Sequence, residues 1–312
     1  MKSSRYLIIG GDDRLIELAA IYERKGINIS TYGMDKVEIK NVENYLSLEA
    51  ALENSDIVVC PIPFSKDVHK INSKYSSTDI EIEELFKKLG IGKKLILGAI
   101  NNYSKELAKK YGIEYVDYYN DEGYQILNTI PTAEGALSII INETRETLFG
   151  SKILVLGYGR IGKLLSEYLK DLRAEVYVEA RKNSDLTWIN ARGMKAVSIE
   201  EISLYLGEMD VIVNTVPAMM LDNRKLDLVK NDVFILDLAS TPGGIDFGYA
   251  AEKGIKTVHA LGIPGKTACR SAAVYIYQTI QKILNDSKEG ETQHETGRLE
   301  HRVSSDRIIL HL

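Results

Sequence analysis

Three glycines with the spacing of a dinucleotide-binding turn are the most specific chemical signal in the sequence. Gly157, Gly159 and Gly162 follow a buried-strand pattern and open an amphipathic helical segment. In such a turn, backbone N–H groups and the positive end of the helix dipole face a pyrophosphate. A glycine turn without a ligand is the alternative. The sequence predicts a dinucleotide site formed by Gly157, Tyr158, Gly159, Arg160, Ile161 and Gly162.

Basic residues at the end of the next predicted strand indicate which dinucleotide binds. Arg181 and Lys182 lie close to the spacing of about 20 residues at which a side chain contacts the adenosine ribose. Because cationic side chains there pair with a 2′-phosphate, the predicted cofactor is NADP rather than NAD. Glu179 shares a strand face with Arg181 and is expected to orient it. The alternative is that the basic pair is a solvated strand end.

Two later loops should extend the same surface, because ligands of parallel sheets bind beyond the carboxyl ends of the strands. One loop follows the predicted strand over 210–215, and the other follows the strand over 233–238. The alternative is that these loops only reverse the chain direction. The residues expected to border the nicotinamide are Asn214, Thr215, Val216, Pro217 and Ala239.

The first strand of the chain also ends in a glycine turn, at Gly10 and Gly11, but a third spaced glycine is missing. We therefore expect a degenerate Rossmann-like domain that holds no nucleotide. Arg14 would then be free to bind a substrate carboxylate in an interdomain cleft through a bidentate contact, with Asp12 or Asp13 holding it. The alternative is the first turn of a helix with capping acids.

Two predicted helix starts supply further groups for an acidic substrate, because helix N-termini and cations attract anions. One start follows Pro131, and the other opens the last helix. Glu134 and His259 are candidate acid–base groups, with helix capping and simple burial as their alternatives. The substrate-binding residues expected from the two segments are Thr132, Ala133, Lys266 and Arg270.

Composition excludes several classes of protein. The 312 residues carry 39 basic and 44 acidic side chains, a net charge of -5, which provides no basic field for nucleic acid. Cys60 and Cys269 are the only cysteines, so we expect no zinc site, no disulfide scaffold and a reducing compartment. No apolar stretch approaches the roughly 20 residues of a membrane span, and the first residues lack a signal-peptide core. We expect a cytoplasmic protein without a metal.

The elements that position these groups are predicted to form two Rossmann-like, doubly wound α/β domains joined by interdomain helices, with the dinucleotide on the C-terminal domain. Apolar runs predict strands near 5–10, 28–32, 56–60, 94–99, 113–117, 152–157, 174–179, 195–198, 210–215, 233–238 and 256–260. The predicted parts are a substrate domain over 1–130, a connecting helix over 131–150, the NADP-binding domain over 151–266, a helix over 267–285 packing back on the domain junction, and a polar tail over 286–312. The tail is interpreted as either a natural extension or an artificial addition.

Together, five segments of the sequence resemble the corresponding parts of the A subunits of bacterial dipicolinate synthase. The resemblance covers about residues 1–288, and the segments that carry it are 10–14, 131–135, 157–162, 237–244 and 261–267. It implies NADP-dependent oxidation of a dihydrodipicolinate, drawn from the lysine and diaminopimelate pathway, to the pyridine-2,6-dicarboxylate of endospores. It also implies a partner, which is a flavoprotein-like B subunit, and a place in the mother-cell cytoplasm.

Aromatisation of such a product makes a strong base unnecessary, because loss of one proton after hydride transfer completes an aromatic ring. Thr132, Glu134 or Ser240 would relay that proton, and with Lys266 they are the predicted catalytic residues. The alternatives are another NADP-dependent dehydrogenase of amino or hydroxy acids, and a non-catalytic subunit that senses NADP. Homo-oligomer formation is left open.

Overall fold

The computed structural model of the chain describes residues 4–90 and 92–286. These residues form two compact units. The first unit contains the described residues up to Tyr124 and from Arg270 onward, and the second contains Gln125–Cys269. Each unit is built on a six-stranded sheet in which all neighbouring strands are parallel. The predicted fold class, two Rossmann-like α/β domains, is confirmed.

The first unit is a doubly wound sheet. Its strands are β1 (Tyr6–Ile9), β2 (Ile29–Tyr32), β3 (Glu43–Tyr45), β4 (Ile57–Val59), β5 (Lys94–Leu97) and β6 (Tyr115–Asp117). They are arranged in the order β3-β2-β1-β4-β5-β6. The intervening helices are α1 (Asp13–Arg24), α2 (Leu48–Glu53), α3 (Ile82–Lys88) and α4 (Asn102–Tyr111).

The second unit repeats this arrangement. Its strands are β7 (Lys152–Leu156), β8 (Glu175–Glu179), β9 (Lys195–Val197), β10 (Val211–Asn214), β11 (Phe234–Asp237) and β12 (Lys256–His259), in the order β12-β11-β10-β7-β8-β9. The remaining α-helices of the described residues are α5 (Glu122–Glu143), α6 (Arg160–Asp171), α7 (Asn183–Ala191), α8 (Ile202–Tyr205), α9 (Asn223–Leu226), α10 (Phe247–Glu252), α11 (Ile263–Thr267) and α12 (269–286).

Both faces of the first sheet are buried, which explains why its inner strands are continuous apolar runs. In β1, Tyr6 and Ile8 enter one core cluster, whereas Leu7 and Ile9 enter another on the opposite face. The helix α12 completes the first of these clusters with apolar residues at helical spacing, namely Ala273, Ile276, Ile280 and Leu284.

All eleven predicted strands are present, and one further strand was missed. The missed strand, β3, contains Glu43, Asn44 and Tyr45 and lies at the edge of its sheet. A short edge strand with polar residues lacks the apolar pattern from which strands are predicted.

The helix expected to begin after Pro131 begins instead at Glu122 and ends at Glu143, so the predicted span of 131–150 is wrong. Asp121 starts the helix, because its carboxylate accepts a hydrogen bond from the Tyr124 backbone N–H at 2.8 Å. Pro131 lies inside α5. Thr132 is therefore not an N-cap, and the segment after Pro131 presents no helix N-terminus.

The last predicted helix, over 267–285, is present as α12, but the segment from Gly262 that was expected to open it forms the separate short helix α11. α11 ends at Thr267, and Ala268 leaves the helical conformation with φ -140° and ψ 53° before α12 begins. Lys266 and Arg270 therefore belong to different helices rather than to one helix start. No helix among the described residues is long and apolar enough to cross a membrane. The predicted tail, apart from Asp286, lies outside the described residues.

Candidate active site

The glycine turn lies between β7 and α6, and its three glycines have different surroundings. A Cβ atom on Gly157, whose φ is 95°, would lie 2.7 Å from side-chain atoms of Thr215 and Val216. A Cβ atom on Gly162 would overlap the Gly157 carbonyl oxygen. In the part of the chain that the structure describes, nothing lies within 4 Å of the Cβ position of Gly159. The turn is packed at two glycines and open at the third, as close approach of a pyrophosphate requires.

The residues between these glycines have distinct positions. Tyr158 is buried in a core cluster of the second unit, and Arg192 donates a hydrogen bond to its hydroxyl at 3.3 Å. The Tyr158 ring therefore anchors the turn. Arg160 and Ile161 form the first turn of α6, where the backbone N–H groups lie at the positive end of the helix dipole.

The carboxyl ends of the strands in the second unit are in register. Leu156 pairs with Glu179 at the end of β8 and with Asn214 at the end of β10. Asn214 pairs with Asp237, and Asp237 pairs with His259. Paired residues of a parallel sheet project to the same face. Four polar side chains therefore lie in one row along the edge of the sheet from which the glycine turn departs.

Glu179 is the member of this row nearest to the glycine turn. It is 2% exposed, and its Oε2 accepts a hydrogen bond from the Gly157 backbone N–H at 3.0 Å. Its Oε1 is buried without a hydrogen-bond partner among the described residues. Burial raises the pKa of Glu179, against the opposing effect of the Gly157 N–H. The expected orientation of Arg181 by Glu179 is not found, because no hydrogen bond between described residues joins them.

Cationic side chains lie beside Glu179. Arg181 and Lys182 follow β8, and both are exposed. Arg181 and Lys225 act electrostatically to lower the pKa of Glu179, whereas Glu200 acts to raise it. The Lys225 Nζ donates to the Met220 carbonyl oxygen at 2.7 Å. Lys225 was not identified from the sequence, because its approach to β8 depends on the path of the loop after β10.

The predicted nicotinamide-side residues divide into buried and accessible ones. Asn214 and Ala239 are buried, Thr215 and Val216 are half-buried, and Pro217 is exposed. The Asn214 side chain hydrogen-bonds within the protein. The half-buried and exposed residues are the ones that can meet a ligand directly.

The helices α5 and α11, which carry predicted substrate residues of the second unit, are in close contact. A Cβ atom on Gly135 would overlap Ile263 and lie 2.9 Å from Thr267 Oγ1, so the two helices pack where only glycine fits. Glu134 on α5 and Lys266 on α11 are both exposed, as is Ser240 after β11. These three side chains are accessible for proton transfer or anion binding.

Two other predictions on α5 need correction. Ala133 is fully buried in a core cluster, so its side chain packs instead of binding a ligand. Thr132 is buried, and its hydroxyl donates to the Asn128 carbonyl oxygen at 2.8 Å. The Oδ1 of Asn128 is itself buried without a partner among the described residues. Asn128 was not singled out from the sequence, where it lies beyond the wrongly predicted start of the helix.

In the first unit, Arg14 is not free in the way the sequence suggests. It is 4% exposed, its Nε and Nη2 donate to the Asp12 carboxylate at 2.9 and 2.7 Å, and Nη2 also donates to the Ile62 carbonyl oxygen. The edge of the guanidinium that would bind a carboxylate in a bidentate contact is therefore occupied. Asp13 does not hold Arg14, because it binds Lys74 and Tyr75.

The glycine turn of the first unit is covered by its own chain. The Gly11 N–H donates to the Asn72 carbonyl oxygen at 2.7 Å, and the Lys74 N–H donates to the Gly11 carbonyl at 2.9 Å. A Cβ atom on Gly10 would lie 2.9 Å from the same Asn72 oxygen. The backbone groups that would meet a phosphate are thus already paired. At the start of α12, the exposed Arg270 pairs with Glu17 at 3.2 Å.

Comparisons with known protein families match a domain in each unit. Residues 5–119 match the N-terminal domain of the dipicolinate synthase A subunit. Residues 140–242 match the NAD binding domain of D-isomer specific 2-hydroxyacid dehydrogenases. No group of three or more His, Cys, Asp or Glu suited to a metal occurs within the described ranges.

Full-length relatives carry the same name. The A subunit of dipicolinate synthase from Bacillus subtilis is 28% identical over 299 residues, covering 93% of this chain and 97% of the relative. The crystal structure of the dipicolinate synthase A subunit from Bacillus halodurans has 30% identity and a TM-score of 0.84, covering 91% of this chain and 98% of that chain. The crystal structure of the Bacillus subtilis protein has 26% identity and a TM-score of 0.82, covering 93% of this chain and 98% of that chain.

The matched dehydrogenase domain contains the open glycine turn and the ends of strands β8, β10 and β11. These findings support an oxidoreductase that binds a nicotinamide dinucleotide on its second unit. Identity at this level extends over nearly the whole length of the relatives, through both units. The chain belongs to the family of dipicolinate synthase A subunits.

Proposed function

We propose that this protein catalyses NADP-dependent oxidation of dihydrodipicolinate to dipicolinate during endospore formation. The observation that carries the proposal is the similarity to the A subunit of dipicolinate synthase, which spans 91% of this chain and 98% of the relative at 30% identity. The substrate, the pathway branch from lysine and diaminopimelate synthesis, and the preference for NADP are all parts of the proposal.

The residues of the second unit fit a bound dinucleotide. The open Cβ position of Gly159 allows the pyrophosphate to approach the backbone, and the first turn of α6 supplies N–H donors. The orphaned Oε1 of Glu179 is an acceptor suited to a ribose hydroxyl. Arg181 and Lys182 would hold the 2′-phosphate that distinguishes NADP from NAD. When bound, NADP accepts the hydride that the substrate loses.

The remaining residues would bind the dicarboxylate and take up its proton. Oxidation removes one hydride and one proton from the dihydropyridine ring, and the product ring becomes aromatic. Lys266 would pair with one carboxylate of the substrate. Glu134 or Ser240 would accept the proton, directly or through water, because both side chains are exposed. Thr132 is a weaker candidate, because its hydroxyl proton is donated to Asn128.

Two arginines of the first unit differ in how accessible they are to an anion. Arg270 is exposed and forms an ion pair with Glu17 at 3.2 Å, and its exposure leaves it accessible to an anion. Arg14 fits this role less well, because Asp12 and Ile62 occupy its Nε and Nη2. We assign Arg14 and Asp12 to the support of the turn after β1.

A flavoprotein-like B subunit is the proposed partner, and the mother-cell cytoplasm is the proposed location. Both follow from the family resemblance. The test is NADPH formation from freshly generated dihydrodipicolinate, followed by nicotinamide absorbance with and without the B subunit. Dipicolinate formed together with NADPH supports the proposal. Turnover only with other amino or hydroxy acids, or tight NADP binding without any turnover in either mixture, refutes it in favour of another dehydrogenase or a sensing subunit.

A further inference from the structure

A buried polar pair joins the loops that follow β10 and β11. Asn214 and Asp237 are both 0% exposed, and the Asn214 Nδ2 donates to Asp237 Oδ1 at 2.8 Å. The same carboxylate oxygen accepts from the Ala239 N–H at 2.9 Å, and Oδ2 accepts from the Gly244 N–H at 2.7 Å. Asn214 also closes its own loop, because Oδ1 accepts from the Val216 N–H and Nδ2 donates to the Val216 carbonyl.

The Asp237 side chain provides only hydrogen-bond acceptors at this buried position. Both oxygens of Asp237 act only as acceptors, as in an ionised carboxylate, and all three donors are neutral N–H groups. Burying a polar group is costly unless it is hydrogen-bonded, and a fully hydrogen-bonded buried network makes the surrounding structure more rigid. Only a carboxylate satisfies all three donors, because an asparagine at position 237 would turn an N–H group toward one of them.

The loops are also packed tightly around the pair. A Cβ atom on Gly244 would lie 2.5 Å from both Asn214 Nδ2 and the Ala218 carbonyl oxygen. A Cβ atom on Gly243 would lie 2.5 Å from Asp237 Oδ2. The third strand of this edge is tied to the same loop, because the His259 Nε2 donates to the Ala239 carbonyl oxygen at 2.8 Å. Both loops are therefore held by hydrogen bonds to these two side chains and by close packing around them.

We propose that Asn214 and Asp237 are positioning residues that fix the nicotinamide half of the cofactor. This inference rests on the proposed binding of NADP. The pair lies at the ends of β10 and β11, beside β7, whose turn would receive the pyrophosphate. Thr215 and Val216, directly after Asn214, already border the Gly157 Cβ position. The pair itself is buried, so it acts through the backbone of the loops and touches no ligand.

The test separates the two halves of the cofactor. Adenosine 2′,5′-bisphosphate contains the adenosine and its 2′-phosphate but lacks the nicotinamide half. Asp237→Asn should weaken NADP binding by about tenfold and lower kcat at saturating NADP, while binding of adenosine 2′,5′-bisphosphate stays within about twofold of wild type. Titration calorimetry measures both ligands. General damage to the unit would weaken the two ligands alike, and that outcome overturns the inference.

Asp210→Asn is the matched control. Asp210 also accepts a backbone N–H from a neighbouring strand, that of Lys152 at 2.8 Å, but it lies just before β10 begins, at the amino edge of the sheet. Its replacement should leave the affinities for both ligands unchanged. A loss of NADP affinity in Asp210→Asn equal to that in Asp237→Asn would show that position on the sheet edge is irrelevant, and so would refute the inference.

Two further variants make the result independent of whether Asp237→Asn folds. Asn214→Ser removes the Nδ2 donor but leaves both backbone donors of Asp237, and the same split between the ligands is expected. The reversed pair, Asn214→Asp with Asp237→Asn, restores one side-chain hydrogen bond and should recover part of the NADP affinity that Asp237→Asn loses. Wild-type affinity for NADP in both Asp237→Asn and Asn214→Ser refutes the inference alone. Failure of the wild-type protein to bind either ligand refutes the proposed function.

Discussion

Gly159→Ala separates the folding of the glycine turn from its capacity to bind a dinucleotide. The backbone of Gly159 has φ -79° and ψ -164°, which alanine adopts without strain. Nothing in the described part of the chain lies within 4 Å of the added methyl position. The cost to the folded protein is a weaker helix cap, at most about 1 kcal/mol. Reduced freedom of the unfolded chain offsets about 0.4–1 kcal/mol of it.

The same methyl group would occupy the space into which the pyrophosphate must come. Overpacking a close contact by one methyl typically costs about 1–3 kcal/mol. If the whole cost falls on the complex, NADP binds about 5- to 150-fold more weakly. The free energy of unfolding of the cofactor-free protein should change by less than about 1 kcal/mol.

Calorimetric titration with NADP and urea unfolding without cofactor measure the two effects. Gly248→Ala on α10 is the matched control, because its Cβ would make an ordinary 3.5 Å contact with Asp246 and lies outside the turn. It should leave NADP affinity unchanged. If Gly159→Ala folds and binds NADP as tightly as wild type, the backbone at Gly159 is not where the pyrophosphate approaches, and the assignment of the turn is wrong.

Three other substitutions have defined outcomes. Arg181→Ala should weaken NADP by about tenfold and NAD hardly at all; equal losses in a titration would mean that the arginine is structural. Gly135→Ala should lower the free energy of unfolding measured in urea. The added methyl group would overlap Ile263 at a cost of about 1–3 kcal/mol, which exceeds the gain of about 1 kcal/mol in helix propensity. An increase in the free energy of unfolding would show that α5 and α11 are not closely packed. Burial raises the pKa of Glu179, so the folded protein binds a proton at this carboxyl group more tightly than the unfolded chain does. The stabilisation that this proton provides is complete below the ordinary pKa of glutamate and is lost as pH rises through the raised pKa. Glu179→Gln should remove this loss of stability in the cofactor-free protein. If the free energies of unfolding of variant and wild type differ by the same amount at every pH, the prediction is wrong.

Local patterns predicted most of the fold and the cofactor turn. The inner strands are apolar runs bounded by turn residues, and Gly157, Gly159 and Gly162 lie within a single strand–turn–helix segment. Such features depend on neighbours in the sequence, so they are visible without a structure. The start of α5 also depends on a local feature, the Asp121 cap, but a proline such as Pro131 is more typical of a helix start than of a helix interior.

The partners of individual polar side chains could not be predicted, because they depend on strand register. Arg14 was interpreted as free, yet its Nη2 reaches the Ile62 carbonyl, 48 positions away. Asn214 was assigned to the cofactor, yet its amide binds Asp237, 23 positions away. Each partner lies at or just after the carboxyl end of an adjacent strand. Sequence reasoning identified which residues lie at that edge but not which of them bind one another.

The two sheets have equivalent strand orders, and each first strand ends in a glycine turn, but one turn is open and the other is covered by the chain. In the second unit the Cβ position of Gly159 is open among the described residues. In the first unit the segment after β4 returns over the turn, and Asn72 and Lys74 take the hydrogen bonds of Gly11. A missing third glycine was the sequence argument against a nucleotide there. The structure offers a stronger physical argument, because restoring that glycine would still leave the Gly11 N–H bound to Asn72.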